Sequence, residues 1–289
     1  MVNSQERFSV ENEWTEIITP TNGVFDLKLG DVWRYRDLLM LLVRRDFVAT
    51  YKQTILGPIW FFLQPLLTTI TFTIVFGQMG KLSTDGLPGP LFYMTGITLW
   101  NYFADCLTKT ATVFRDNANI FGKVYFPRLV MPLSIVISNL IKFGIQLLLL
   151  IGFWVYYFVT SDVIHPNVYI FLMPLLIVLM ALQGLGWGML ISSLTTKYRD
   201  LVFLLTFGVQ LLMYVSSVIV PLSESSGLML QLMELNPLTP IIELFKYSLL
   251  GKGTFTLGLL FYSIVSSIIV VGIGAVVFTK VEKSFMDTV

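Results

Sequence analysis

The chain is short of charge, of histidine and of cysteine, and each shortage closes off a class of function. Only 13% of its 289 residues are Asp, Glu, Lys or Arg, against roughly a quarter in an average soluble domain. A soluble protein of this size could bury a large core, but it would still need a charged surface to stay dissolved. The single cysteine, Cys106, rules out an intrachain disulfide and any thiolate cluster for zinc. The single histidine, His165, sits beside Pro166 in a short loop and removes most triads, histidine relays and histidine-bound metals. Nineteen basic and eighteen acidic residues leave a net charge of +1, which is no footprint for nucleic acid. Carboxylates are scattered, with no pair spaced for glycosyl chemistry. No G-x-x-x-x-G-K-[ST] phosphate loop occurs. ATP hydrolysis, if the chain depends on it, belongs to another protein. No catalytic residue, metal ligand or cofactor site is therefore expected.

What is abundant is apolar surface: 55% of the residues are hydrophobic and the mean hydropathy is +0.76. A hydrocarbon core of about 30 Å takes about 20 apolar residues to cross. Six stretches qualify: Ile59–Gln78, Gly89–Thr108, Leu133–Val159, Val168–Leu194, Leu201–Val220 and Phe255–Phe278. The second is the weakest, because Asn101 and Asp105 interrupt it. The expected fold is an all-α integral membrane protein with six transmembrane helices. The first 57 residues are polar and lack the early apolar run of a secretory leader. They are expected to remain as a cytoplasmic segment (1–57), followed by a six-span domain (58–280) and a cytoplasmic tail (281–289).

Basic residues set the orientation. Arg7, Lys28, Arg34, Arg36, Arg44, Arg45 and Lys52 precede the first span. Lys109, Arg115, Lys123 and Arg128 fall between spans two and three, Lys197 and Arg199 between four and five, and Lys280 and Lys283 after the sixth. The opposite side has only Lys81, Lys246 and Lys252. Both termini are thus expected in the cytoplasm.

Two segments are apolar but too short to cross. Within Asp31–Gln53 the apolar stretch Leu38–Val43 is bracketed by Arg36-Asp37 and Arg44-Arg45-Asp46. It suits an amphipathic helix at the cytoplasmic interface, or one tucked against the bundle. On the outer side, Leu228–Leu235 and Ile241–Leu250 flank Asn236-Pro237-Leu238-Thr239-Pro240. Paired short apolar helices around a proline break read as re-entrant or interfacial, with Glu224, Glu234 and Glu243 expected to face water or a lumen.

Four motifs, in this order, resemble the type-2 ABC exporter permeases of the polysaccharide-export branch. They are Tyr51-Lys52-Gln53-Thr54-Ile55-Leu56-Gly57-Pro58 with Gln64-Pro65, Phe126-Pro127-Arg128-Leu129, Lys197-Tyr198-Arg199-Asp200-Leu201, and Leu235-Asn236-Pro237-Leu238-Thr239-Pro240. The resemblance implies a homodimer in the bacterial inner membrane, with each subunit driven by a soluble ATPase that carries ATP and magnesium. It implies export of a lipid-linked glycan, such as O-antigen, capsule or a teichoic-acid-type polymer.

Three groups of residues are candidate sites. Arg115, Asp116, Asn119, Phe121 and Lys123 in one cytoplasmic loop, with Lys197, Tyr198, Arg199 and Asp200 in the other, would dock the ATPase. A tight charged loop between two long spans is a stiff lever; the plain alternative is an ordinary basic loop. Arg34, Arg36, Arg44, Arg45 and Lys52 would receive a lipid diphosphate headgroup through charge-assisted hydrogen bonds, or would merely fix topology. Phe61, Gln64, Thr68 and Thr71 in the first span, and Phe203, Phe207, Gln210, Tyr214 and Ser217 in the fifth, recur at helical spacing. Aromatic rings beside amide and hydroxyl groups suit a channel for a sliding glycan. Interhelical packing would use the same residues. Lys142 in the third span calls for a partner, with Asp105 as the candidate. Gly184, Gly188 and Ser192 read as close helix packing. Rival functions are a permease for a small hydrophobic molecule or drug, a membrane-embedded glycan enzyme, and a passive channel.

Overall fold

A computed structural model of the chain describes residues 29–52, 54–121 and 126–286. Among these every regular element is helical. The chain opens with α1 (Leu29–Arg34) and α2 (Arg36–Tyr51), which break at Tyr35. α2 does not stand apart: it packs on the third long helix, burying Leu42 and Val43 while Met40 and Leu41 stay exposed. The segment therefore makes contact with the bundle along one side of α2. Gly57 then turns the chain in the left-handed region (φ 51°), a conformation costly for any residue with a Cβ. Pro58 follows in the first helical turn, where its missing N–H costs nothing. α3 (Trp60–Phe72) runs on into a π-helical turn over Thr73–Met79.

α4 (Gly89–Ala111) leads to two single turns, α5 (Val113–Asp116) and α6 (Ala118–Phe121). α7 (Val130–Thr160) is followed by a 3-10 turn, Val168–Leu172, capped by the Asn167 side chain, which accepts from the Tyr169 N–H. α8 (Met173–Lys197), α9 (Leu201–Tyr214), α10 (Gly227–Leu235), α11 (Thr239–Leu250) and α12 (Leu257–Met286) complete the chain. α11 ends at Gly251, which takes the left-handed cap (φ 75°) and lies against the His165 backbone.

Four stretches among the described residues are long and apolar enough to cross a membrane: Gly57–Met79, Val130–Thr160, Val168–Lys197 and Leu257–Val281. They match the first, third, fourth and sixth expected spans. The second expected span forms a helix, α4, but too polar a one to meet the same test. The packing explains this. α4 lies at the centre, against α3, α7, α8, α9 and α11, so its polar groups meet protein rather than lipid. The fifth expected span, Leu201–Val220, is cut short: α9 stops at Tyr214 after 14 residues. The carbonyls just past its end, of Val215 and Ser217, turn aside to side chains from the α10–α11 segment, as described below.

α8 binds two neighbours through small residues. A Cβ on Gly184 would lie 2.7 Å from Cys106 Cβ, and one on Gly188 2.5 Å from Thr110 Cβ, both on α4. Gly186 faces Gly274 of α12 just as closely. The Gly184–Gly188 spacing read as close packing meets α4, and Gly186, outside that spacing, packs on α12.

Candidate functional site

The two charged loops, after α4 and after α8, are built side by side. α5 packs against α8, and the Thr195 hydroxyl donates to the Ala111 carbonyl at the end of α4. Around this tie Arg115, Asp116 and Asn119 of one loop, and Lys197, Tyr198, Arg199 and Asp200 of the other, are exposed. Arg115 pairs with Asp116 at 2.9 Å, and Lys197 Nζ sits 5.3 Å from the centre of the Tyr198 ring. Phe121 is different. It is buried, stacks on Phe126 with ring centres 5.8 Å apart, and takes the Arg128 guanidinium over its face. It anchors the loop in a cluster with Phe114 and Phe278 instead of facing outward. Lys123 lies outside the described residues. Thr195, which links the loops, carries no signal in the sequence, since a threonine near a helix end is commonplace.

The basic residues of α1 and α2 divide. Arg34, Arg36, Arg44 and Lys52 are exposed, with Arg36 lying 6.0 Å from the Trp33 ring centre. Arg45 turns inward: it pairs with Asp46 at 2.7 Å and donates to Asn117 Oδ1 at 3.1 Å, on the loop between α5 and α6. Of these five cations, four are thus exposed and one fastens α2 to the loop between α5 and α6.

The polar faces of α3 and α9 also divide. On α3, Phe61 is buried and meets Phe47, while Gln64 and Thr71 are exposed and Thr68 is half-buried. The Thr68 and Thr71 hydroxyls donate to the carbonyls four residues back, each at 2.9 Å, so their donors are spent on their own helix. On α9, Phe203, Phe207, Gln210 and Tyr214 form one exposed face. The two helices meet where Phe76 approaches Tyr214 edge-on, 6.4 Å between ring centres. Ser217 does not share that face; it is buried beyond the helix end.

Between α4 and α7 lies a polar seam. Lys142 Nζ reaches Asp105 Oδ2 at 2.7 Å, and Lys109 Nζ donates to Asn139 Oδ1 at 2.8 Å. The expected partner of Lys142 is therefore the one it has.

A second charged cluster sits on α11, and here an expectation fails. Glu243 faces neither water nor a lumen; it is 1% exposed, and Lys246 one turn on is 2% exposed. Glu243 accepts from the Thr254 N–H at 3.0 Å and the Leu222 N–H at 3.4 Å. Lys246 donates to the Ser217 carbonyl and lies 3.6 Å from the centre of the Phe92 ring, with the Glu243 and Asp85 carboxylates bearing on it. Asn236 Nδ2 donates to the Val215 carbonyl at 3.2 Å. Side chains from the α10–α11 segment thus hold two carbonyls just past α9, Val215 at its C-cap and Ser217 three residues beyond the helix. The cue was one lysine and one glutamate inside the apolar run Ile241–Leu250, three residues apart and so on one helix face.

The profile of the ABC-2 type transporter family matches residues 37–250. The chain is 24% identical to an O-antigen export system permease protein, RfbA, of Myxococcus xanthus, over 75% of this chain and 81% of that one. It is 24% identical to a protein of the same name from Klebsiella pneumoniae, over 87% of this chain and 94% of that one.

Proposed function

The chain belongs to the ABC-2 type transporter family, and from that premise we propose that it is the membrane-spanning subunit of an exporter for a lipid-linked polysaccharide. Similarity along nearly the whole length of proteins named as O-antigen export permeases carries the choice of cargo. The sequence holds no phosphate loop, so the drive comes from two copies of a separate ATPase subunit, with ATP and magnesium bound there. The protein works as a homodimer in the bacterial inner membrane, with six spans and both termini in the cytoplasm. α4 and α9 complete the six, and α10 and α11 form the re-entrant segment on the outer side.

The ATPase docks on the adjoining loops around Arg115 and Arg199. Because Thr195 ties these loops together and α4 is the central helix, a push on the docking patch moves the core of the bundle rather than one peripheral span. Headgroups gather at Arg34, Arg36, Arg44 and Lys52, while Arg45 links that surface to the docking loop through Asn117. The glycan passes between two subunits along the exposed faces of α3 and α9. There Phe203, Phe207 and Tyr214 stack on sugar rings, and Gln64 and Gln210 bond their hydroxyls.

Deleting the gene and locating lipid-linked glycan on either side of the membrane tests the proposal. Completed polymer accumulating on the cytoplasmic face is expected. Normal surface glycan would refute the cargo and leave a permease for a small hydrophobic molecule.

A further inference from the structure

An apolar cavity of about 470 Å³, open along an edge where Trp187 and Leu235 are exposed, lies between α9 and the helices behind it. Its walls include Leu107 of α4, Trp187 of α8, Leu205, Val209 and Leu212 on the inward side of α9, and Leu235 at the end of α10. The exposed face of α9, with Phe203 and Phe207, points the other way. The α9 wall and its end, Leu205 to Val215, extend about 15 Å at the helical rise. Gly208 leaves a notch in that wall, since a Cβ there would meet nothing within 4 Å.

The walls decide what fills the space. A buried water needs two to four polar partners, and the polar lining side chains are only Asn236 and the Trp187 indole. Asn236 is already committed: Nδ2 donates to the Val215 carbonyl and to Ser216 Oγ at 2.8 Å, and Oδ1 accepts from the Leu238 N–H at 3.1 Å. An empty apolar space forfeits dispersion contacts along its whole lining. A hydrocarbon chain is narrow, apolar and present all round a bundle embedded in a bilayer.

We propose that this cavity binds one acyl chain of a bilayer lipid, which fills the gap and splints α9 against α4 and α8. The site rests on the membrane-embedded reading given above, α9 included. With the chain in place, the outward face of α9 is held at a fixed distance from the central helix.

The test uses the full chain in liposomes of phospholipid carrying a photoactivatable diazirine midway along one acyl chain, with adducts mapped by peptide mass spectrometry. Adducts are expected at Leu107 and Val209, which are 3% and 8% exposed and are shielded from lipid outside the bundle. Gly208→Trp should fill the notch and lower those adducts about fivefold or more by displacing the chain. Gly272→Trp, at an exposed position on α12 where a Cβ also meets nothing within 4 Å, should leave them unchanged. Adducts on exposed residues of α9 and α12 without any at Leu107 or Val209 would overturn the site and spare the membrane reading. Equal adducts at Val209 in wild type and Gly208→Trp would also overturn it. Adducts on no helix would overturn the membrane reading and the site with it.

Discussion

At the scale of single residues, ionised groups inside an apolar bundle survive only where partners satisfy them, a counter-charge among them. Lys142 and Asp105 satisfy each other at 2.7 Å, so neither can be altered alone without cost. Breaking a buried pair from one side strands the other charge. Both side chains keep some access to solvent or lipid headgroups, which lowers the penalty. Lys142→Met is expected to destabilise the protein by about 2 kcal/mol, read as a lower thermal midpoint in detergent. Lys142→Met combined with Asp105→Leu should recover most of the loss. A double variant no more stable than the single one would show that the pair is not the reason for the charge. The pair was legible in the sequence because a lysine in mid-span demands a partner and Asp105 was within reach. Lys246 was not, since a short outer segment tolerates a lysine at its surface and only the packing of α11 on α4 shows it buried.

At the scale of elements, α9 is the helix whose two sides differ most. One side is the exposed row Phe203, Phe207, Gln210 and Tyr214; the other backs onto the apolar cavity. If the exposed row borders the glycan path, a bulky side chain there should obstruct cargo and not folding. Gln210→Trp is expected to cut polymer export about tenfold or more, a transition-state penalty on the order of 1.4 kcal/mol, while dimer formation stays normal. Export of full-length polymer at the wild-type rate would assign Gln210 to helix packing. The length of α9 was misjudged from sequence because Val215–Val220 is apolar enough to continue a span. Hydropathy does not register that Asn236 and Lys246 draw off the Val215 and Ser217 carbonyls.

At the scale of the whole molecule, two charged loops far apart in sequence form one exposed patch over the end of the central helix. The Ala111 carbonyl and the Thr195 hydroxyl join them, and α2 is fastened to the same region through Arg45 and Asn117. On the proposed assembly, replacing Arg199 and Asp200 together by alanine should leave the permease folded and uncouple ATP hydrolysis from export. The measurement is ATPase activity and polymer flux in the same reconstituted complex. Unchanged flux together with unchanged complex assembly would remove these residues from the docking surface.

The sequence alone determined the membrane class, four of the apolar spans, the absence of an ATP-binding loop and the family motifs. Each of these is a local property, written in consecutive residues or in a composition that no packing can alter. Tertiary structure decided which polar residues face each other, that α4 is the shielded centre and α9 a short helix, and that Phe121 and Glu243 point inward. Those outcomes turn on which helix lies beside which. In an apolar bundle nearly every helix face is greasy enough to pack or to meet lipid, so the pattern along one helix does not say which of the two it does.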